Sequence, residues 1–159
     1  MRVLAIDPGY DRMGIAVIEG DPSKPVHIWS DCVLPPKGAV EMRLYTIRKA
    51  MEEAIEEYAP DIFALETLFF NKNVKTVLGV AEARGALLSV AGKNNLRVIE
   101  CSPQDVKLSV TGYGAADKAA VARMIPHLIE LPDKKRLDDE LDAIAVGIAA
   151  LSKQNSASA

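Results

Sequence analysis

Cysteine and histidine are scarce in this chain, with two of each. Cys32 and Cys101 lie far apart, without a CxxC pair or a neighbouring histidine, so neither a zinc site nor a disulfide framework is signalled. Both are read as buried thiols, because free cysteine packs mostly as a small hydrophobe. His27 and His127 are equally isolated, which leaves a nucleophile, histidine and acid triad without obvious members. No apolar run approaches the roughly 18 residues that a membrane span needs, and no basic segment followed by a hydrophobic one and a cleavage site opens the chain. A soluble, cytoplasmic protein with no membrane partner is expected. Repeats, linkers and low-complexity blocks are also missing, so a single domain over 1–152 is expected, followed by a polar, disordered tail over 153–159. Finally, there is no excess of base. A formal net charge of -3 argues against a general polyanion binder, since such affinity comes from Lys and Arg neutralising phosphates. Total charge counts acids wherever they sit, however, whereas binding depends on which face carries the bases.

What is present suffices for one sizeable core: 159 residues, 49% of them hydrophobic. The segment "RVLAID" (2–7) reads as a buried strand. "GIAVIEG" (14–20) and "HIWSDCVL" (27–34) read as two more, joined by short links into an antiparallel meander. Apolar positions from Met42 to Tyr58 follow helical spacing, and Pro60 marks the exit. "DIFALE" (61–66) is then a strand reached by a helical crossover, which favours a parallel place beside the first. A small-residue helix over 74–92 leads to a strand at 96–102. Helices are expected at 114–130, broken or kinked at Pro126, and at 137–152. The expected fold class is α/β: a mixed sheet of three antiparallel strands and then parallel ones, flanked by helices. Function in such sheets usually sits at the carboxyl ends of the strands.

Acids gather at that edge. Asp7 and Glu66 each close a buried strand, and as parallel neighbours they would emerge about 5 Å apart. In "LDDELDAIA", Asp139 and Asp142 are three apart and share a helix face, as do Asp138 and Asp142 at four. Asp7 before Pro-Gly is as often a turn former, and acids at a helix start suit the macrodipole. Glu66 has no turn to make, and Asp142 lies a turn inside the helix. Carboxylates without His or Cys ligands suit hard cations, magnesium or manganese rather than zinc. Two such ions roughly 4 Å apart activate a water and stabilise the leaving oxygen in phosphoryl displacement, which is nuclease chemistry.

The segments "AIDPG", "ALE", "AEARG", "SPQDVK" and "DDELDAIAVGIA", in this order and spacing over about residues 2–151, resemble the RuvC-type Holliday junction resolvases within the ribonuclease H-like superfamily. The resemblance implies a homodimeric, magnesium-dependent endonuclease that nicks opposed strands of four-way junction DNA in recombination and repair, with the RuvA-RuvB branch-migration complex as a possible partner. It carries the catalytic and metal-binding roles onto Asp7, Glu66, Asp139 and Asp142, with Asp138 an alternative third ligand. It further implies that Phe69 stacks on an unpaired base, with Phe70 the alternative, and that Lys107 and Lys118 contact the DNA backbone. Lys72, Lys75 and Arg84 would extend the basic face by their nearness in sequence to Phe69 and Glu66, while "MEEAIEEY" places acids on a remote helix. Ala81, Ala83, Gly85 and Ala86 are candidates for a dimer contact, or equally for packing on the sheet. Three other readings compete: a ribonuclease H-like processor of ribosomal RNA precursors, an inactive junction-binding module, and a sugar-kinase relative for which the chain is too short.

Overall fold

The computed structural model describes residues 1–9, 11–68 and 74–156, with side chains at all of these except 74, 75, 155 and 156. Five strands, β1 (Arg2–Asp7), β2 (Met13–Asp21), β3 (Lys24–Val33), β4 (Ile62–Glu66) and β5 (Arg97–Cys101), form one sheet in the order β3-β2-β1-β4-β5. β1, β2 and β3 are an antiparallel meander, and β4 and β5 add in parallel to β1, as the crossover lengths require. β3 begins three residues earlier than its apolar pattern indicates. The turn that closes it is stapled by Asp21, whose Oδ1 accepts from the Ser23 N–H (2.8 Å), and Pro25 is tolerated because β3 is an edge strand.

The helices are α1 (Val40–Tyr58), α2 (Val74–Lys93), α3 (Pro103–Thr111), α4 (Lys118–Leu128) and α5 (Asp138–Ser156). They divide the core into two layers. On one face Val3, Ala5, Ala16, Ile18, Ile62 and Ala64 pack against α5 and its neighbours α3 and α4. On the other, Leu4, Ile6, Ile15, Val17, Phe63 and Leu65 pack against α1 and α2. The period of two along β1 therefore sends residues 3 and 5 toward α5, and Asp7 continues that set. Ile62 and Ala64 do the same for Glu66. α5 can lie close because its own face is small: a Cβ on Gly147 would fall 2.6 Å from Ile18 Cγ1.

The helices depart from the sequence reading in three places. α3 was not legible as a helix from apolar spacing, although "SPQD" is a capping box: Ser102 Oγ accepts from Asp105 N (3.0 Å) and Asp105 Oδ2 accepts from Ser102 N (2.8 Å), with Pro103 opening the first turn. α4 starts at Lys118 rather than 114, since Asp117 caps it by accepting from Ala120 N (2.7 Å), and it passes through Pro126 to end at Leu128. α5 stays helical to Ser156, beyond the boundary at 152. Lys153 Nζ donates to Glu100 O (2.7 Å) and pairs with Asp105 (2.8 Å), and Gln154 is buried, which ties down a stretch expected to be disordered. Cys101 is buried as expected, but Cys32 is only half-buried on the edge strand. Among the described residues no helix is long and apolar enough to cross a membrane.

Candidate active site

Asp7 and Glu66 close β1 and β4 side by side, one residue beyond the last registered pair, Ile6 with Leu65. The turn after Asp7 is tight: a Cβ on Gly9 would fall 1.9 Å from Arg12 O, so only glycine lets the chain fold back into β2 there. β2 returns with Gly14 opposite Asp7, and this glycine has a second task. A Cβ on it would lie 1.7 Å from the carbonyl oxygen of Asp139, so its bare backbone admits the N-terminus of α5 to the sheet edge. Four acids thus converge from β1, β4 and the first turns of α5.

Their electrostatics follow from this arrangement. Burial first, then the charges of Asp142, Glu66 and Asp139, push the Asp7 carboxyl up from 3.8 to about 7, against the opposing pull of Lys118. Burial and then Asp142 raise Glu66, with Lys118 and Lys107 opposing. Asp142 is also raised by burial, although Lys118 Nζ donates to its Oδ2 at 2.6 Å. That bond raises Lys118 in turn. Arg12 Nε stands 3.0 Å from Asp139 Oδ2 but out of alignment for a hydrogen bond, so that buried oxygen has a charge beside it and, among the described residues, no donor. Between the two candidates for the third acid, Asp139 bears on Asp7, whereas Asp138 bears on Lys118 and Asp142.

The donor set is all oxygen, which suits a hard divalent cation, and the undonated Asp139 Oδ2 leaves it a lone pair. Among the described residues no three of these acids are already drawn together as a ready-made cage. Lys118 pairs with Asp142 and Arg12 with Asp139. A cleft of about 190 Å³ opens beside them, with Glu66, Asp142, Lys107 and Lys118 among its walls. Both lysines expected at the DNA backbone therefore face the acids.

Other expected residues fare differently. Phe69, Phe70 and Lys72 lie outside the described residues, as does the side chain of Lys75. Arg84 lines the cleft beside Asp7 and Glu66, but as a braced side chain. It is largely buried, donates from Nη1 to the Glu66 carbonyl oxygen (3.0 Å) and pairs through Nη2 with Glu100 (2.6 Å), so its charge is spent bracing the strand that presents Glu66. Ala83 is in the core, which removes it from a dimer contact, while Gly85 faces outward. The acids of "MEEAIEEY" lie on α1, across the sheet from α5, and some are paired locally: Lys93 with Glu52 (3.2 Å) and Lys49 with Glu53 (3.6 Å).

Sequence spacing also missed a buried network behind Asp139. Ser30 Oγ donates to Glu140 Oε1 (2.6 Å) and lies 2.7 Å from His27 Nε2; Lys134 (2.8 Å) and Arg136 (3.3 Å) pair with the same Glu140 oxygen. Despite its Ser, His and acid members this is no nucleophilic triad, because Ser30 and Glu140 are each only 3% exposed and no substrate reaches them. It fastens the start of α5 and the preceding loop to β3. Glu140→Gln leaves two cations facing a neutral amide and is expected to cost about 3 kcal/mol, read as a fall in the urea midpoint.

A five-stranded sheet ordered 3-2-1-4-5, with acids at the carboxyl edge of its central strands and on the last helix, defines a ribonuclease H-like nuclease fold. Residues 3–150 match the family model described as crossover junction endodeoxyribonuclease RuvC. The RuvC of Thermotoga petrophila is 40% identical over 147 residues, covering 92% of this chain and 89% of its own length. That of Caldanaerobacter subterraneus subsp. tengcongensis is 39% identical over 156 residues, covering 98% and 94%. Thermus thermophilus RuvC, solved in complex with a Holliday junction substrate, superposes with a TM-score of 0.89 at 26% identity, covering 98% of this chain and 96% of that one. A yeast mitochondrial Holliday junction resolvase, 15% identical with a TM-score of 0.67, shares the fold. The chain belongs to the RuvC family of crossover junction endodeoxyribonucleases.

Proposed function

We propose that this protein resolves four-way DNA junctions by paired, symmetric, metal-dependent hydrolysis of phosphodiesters in homologous recombination and repair. The observation that carries the reading is the match to the RuvC family over nearly the whole chain, including a junction-bound member, on a site where Glu66 and Asp142 share a cleft with Lys107 and Lys118 and Asp7 lines the adjoining one. Asp7, Glu66, Asp139 and Asp142 would hold the cations, magnesium or manganese and two per site. When bound, these supply an activated water and neutralise the leaving oxygen. The chain's own groups do the rest. Lys107 and Lys118, on the cleft wall, neutralise the phosphate oxygens of the strand being cut. Pro8 and Gly9 turn the backbone away and keep the space above Asp7 open. Phe69, Lys72 and Lys75 follow Glu66 in sequence and are assigned to the same DNA face.

A two-fold homodimer follows from the substrate, because two symmetry-related sites cut a symmetric junction in two places. Action in the cytoplasm beside the RuvA-RuvB complex belongs to the same reading. The test is nicking of a mobile four-way junction, of linear duplex with the same sequence and of a ribosomal RNA precursor hairpin, each with magnesium or with chelator. Paired, magnesium-dependent nicks on the junction alone are expected. No cutting by folded protein, or cutting of the RNA in preference, overturns the reading.

A further inference from the structure

The acids do not lie at the end of their groove. Three clefts meet at Pro103: one of about 280 Å³ beside Asp7 and Glu66, the one of about 190 Å³ beside Lys118 and Asp142, and a third of about 680 Å³ on the far side of Lys107. Lys107 lines both the second and the third. The third contains none of the four acids, so the metal chemistry leaves it without a role. Its walls include Gln104, Tyr113 and Gly114.

Tyr113 is 65% exposed, an unusual position for an aromatic ring. The turn beneath it is fixed. Gly112 ends α3 in the left-handed region (φ 74°), and Thr111 Oγ1 accepts from the Tyr113 N–H (3.1 Å). Among the described residues the hydrogen bonds of the turn involve the Tyr113 backbone and not its ring, so the ring is presented outward. Gln104 lies against Gly114 with little room to spare, since a Cβ there would come within 3.0 Å of its Cγ and 3.3 Å of its Nε2. An aromatic face and a carboxamide on one wall, with a lysine leading to the cutting site, match the chemistry that receives a nucleotide: stacking for the base, a donor and acceptor pair for its edge, a cation for its phosphate.

We propose that this third cleft is a nucleotide subsite. The strand whose phosphate sits at the acids continues past Lys107, and the base of a nucleotide flanking the cut stacks on Tyr113 with its edge toward the Gln104 amide. The proposal rests on the junction-nuclease reading and adds to it a determinant of which sequences are cut. A base stacked on an aromatic side chain is worth about 1–3 kcal/mol, or roughly 5- to 150-fold in affinity.

The experiment uses the full chain with magnesium and four-way junctions carrying 2-aminopurine at single positions on either side of the nick. Wild type is expected to quench the probe at one position. Tyr113→Phe keeps that quench. Tyr113→Ala loses it and raises the half-saturating protein concentration for nicking at least about 5-fold, with the single-turnover rate at saturation within about 2-fold. Gln104→Ala flattens the dependence of nicking on the base at that position. Because the Tyr113 ring is exposed, its loss leaves the fold intact, and circular dichroism checks this. If wild type nicks junctions while Tyr113→Ala matches it in quench and half-saturation, the subsite is wrong. If wild type nicks no junction, the underlying nuclease reading is what fails.

Discussion

Asp7→Asn is expected to lower junction nicking by on the order of 100- to 1,000-fold or more, while leaving junction binding near wild type and raising the stability of the metal-free protein above neutral pH. The first part follows from what the residue supplies: a central acid in a set of four that would hold the cations, where loss of one preorganised charge interaction removes a large share of transition-state stabilisation. Binding survives because Lys107 and Lys118 remain on the cleft wall. The stability change has the opposite sign to most active-site substitutions, for an electrostatic reason. The Asp7 carboxyl titrates near 7 in the folded chain and near 3.8 when free of it. Between those values the unfolded chain has released its proton while the folded chain still holds it, so stability falls as pH rises from about 4 to about 7. Above that range the buried anion costs a few kcal/mol in the absence of metal. Asparagine removes the charge and with it that loss. Thermal melts with chelator at pH 8 and pH 5 should therefore show the variant melting several degrees above wild type at pH 8 and by a clearly smaller margin at pH 5. Added magnesium should raise the wild-type melting temperature and scarcely move the variant's. Undiminished nicking by the variant would remove Asp7 from the site.

The parts of this site that were legible in the sequence are those set by local periodicity. The period of two in "RVLAID" and "DIFALE" places Asp7 and Glu66 on one face, and the three-residue interval puts Asp139 and Asp142 on one side of α5. The helical crossover placed β4 parallel beside β1, whereas the place of β5 beyond β4 came only with the structure. What stayed hidden depends on partners distant in the chain. Arg84 looked like an addition to a basic surface until the fold brought Glu66 and Glu100 to it. Glu140 looked like one more acid at a helix start, yet its partner Ser30 lies on β3, far away in sequence. Arg12 beside Asp139 is of the same kind. α3 is the exception, because its signal was local and was present: Ser102, Pro103 and Asp105 spell a capped first turn, and attention to apolar spacing passed over it. The acidic total charge is likewise explained by placement, with several acids on α1 across the sheet and the lysines at the cleft.

Gly14→Ala is the substitution expected to separate the position of the third and fourth acids from their chemistry, since it alters no charged group. The added methyl would stand 1.7 Å from the carbonyl oxygen of Asp139, 2.4 Å from its carbonyl carbon and 3.1 Å from the Glu140 nitrogen. All three are backbone atoms, so no rotamer change relieves the overlap and the start of α5 has to move away from β2. The rest of the helix cannot follow, because Gly147 holds it against Ile18 and Ala5 further along. The helix must pivot or unwind at the turn that carries Asp139 and Asp142. Overpacking of this kind costs about 1–3 kcal/mol, and a displacement of about 1 Å at a reacting centre costs about 100-fold in rate. The variant should therefore nick roughly 100-fold more slowly, need more magnesium for half-maximal rate and unfold at lower urea, with junction binding little changed. Gly92→Ala serves as the comparison, as its added methyl meets nothing within 4 Å near the end of α2 and it should cut at the wild-type rate. Should Gly14→Ala cut as fast as Gly92→Ala, the close approach of α5 to β2 does not set the geometry of the acids, and Asp139 would have to reach them by another route.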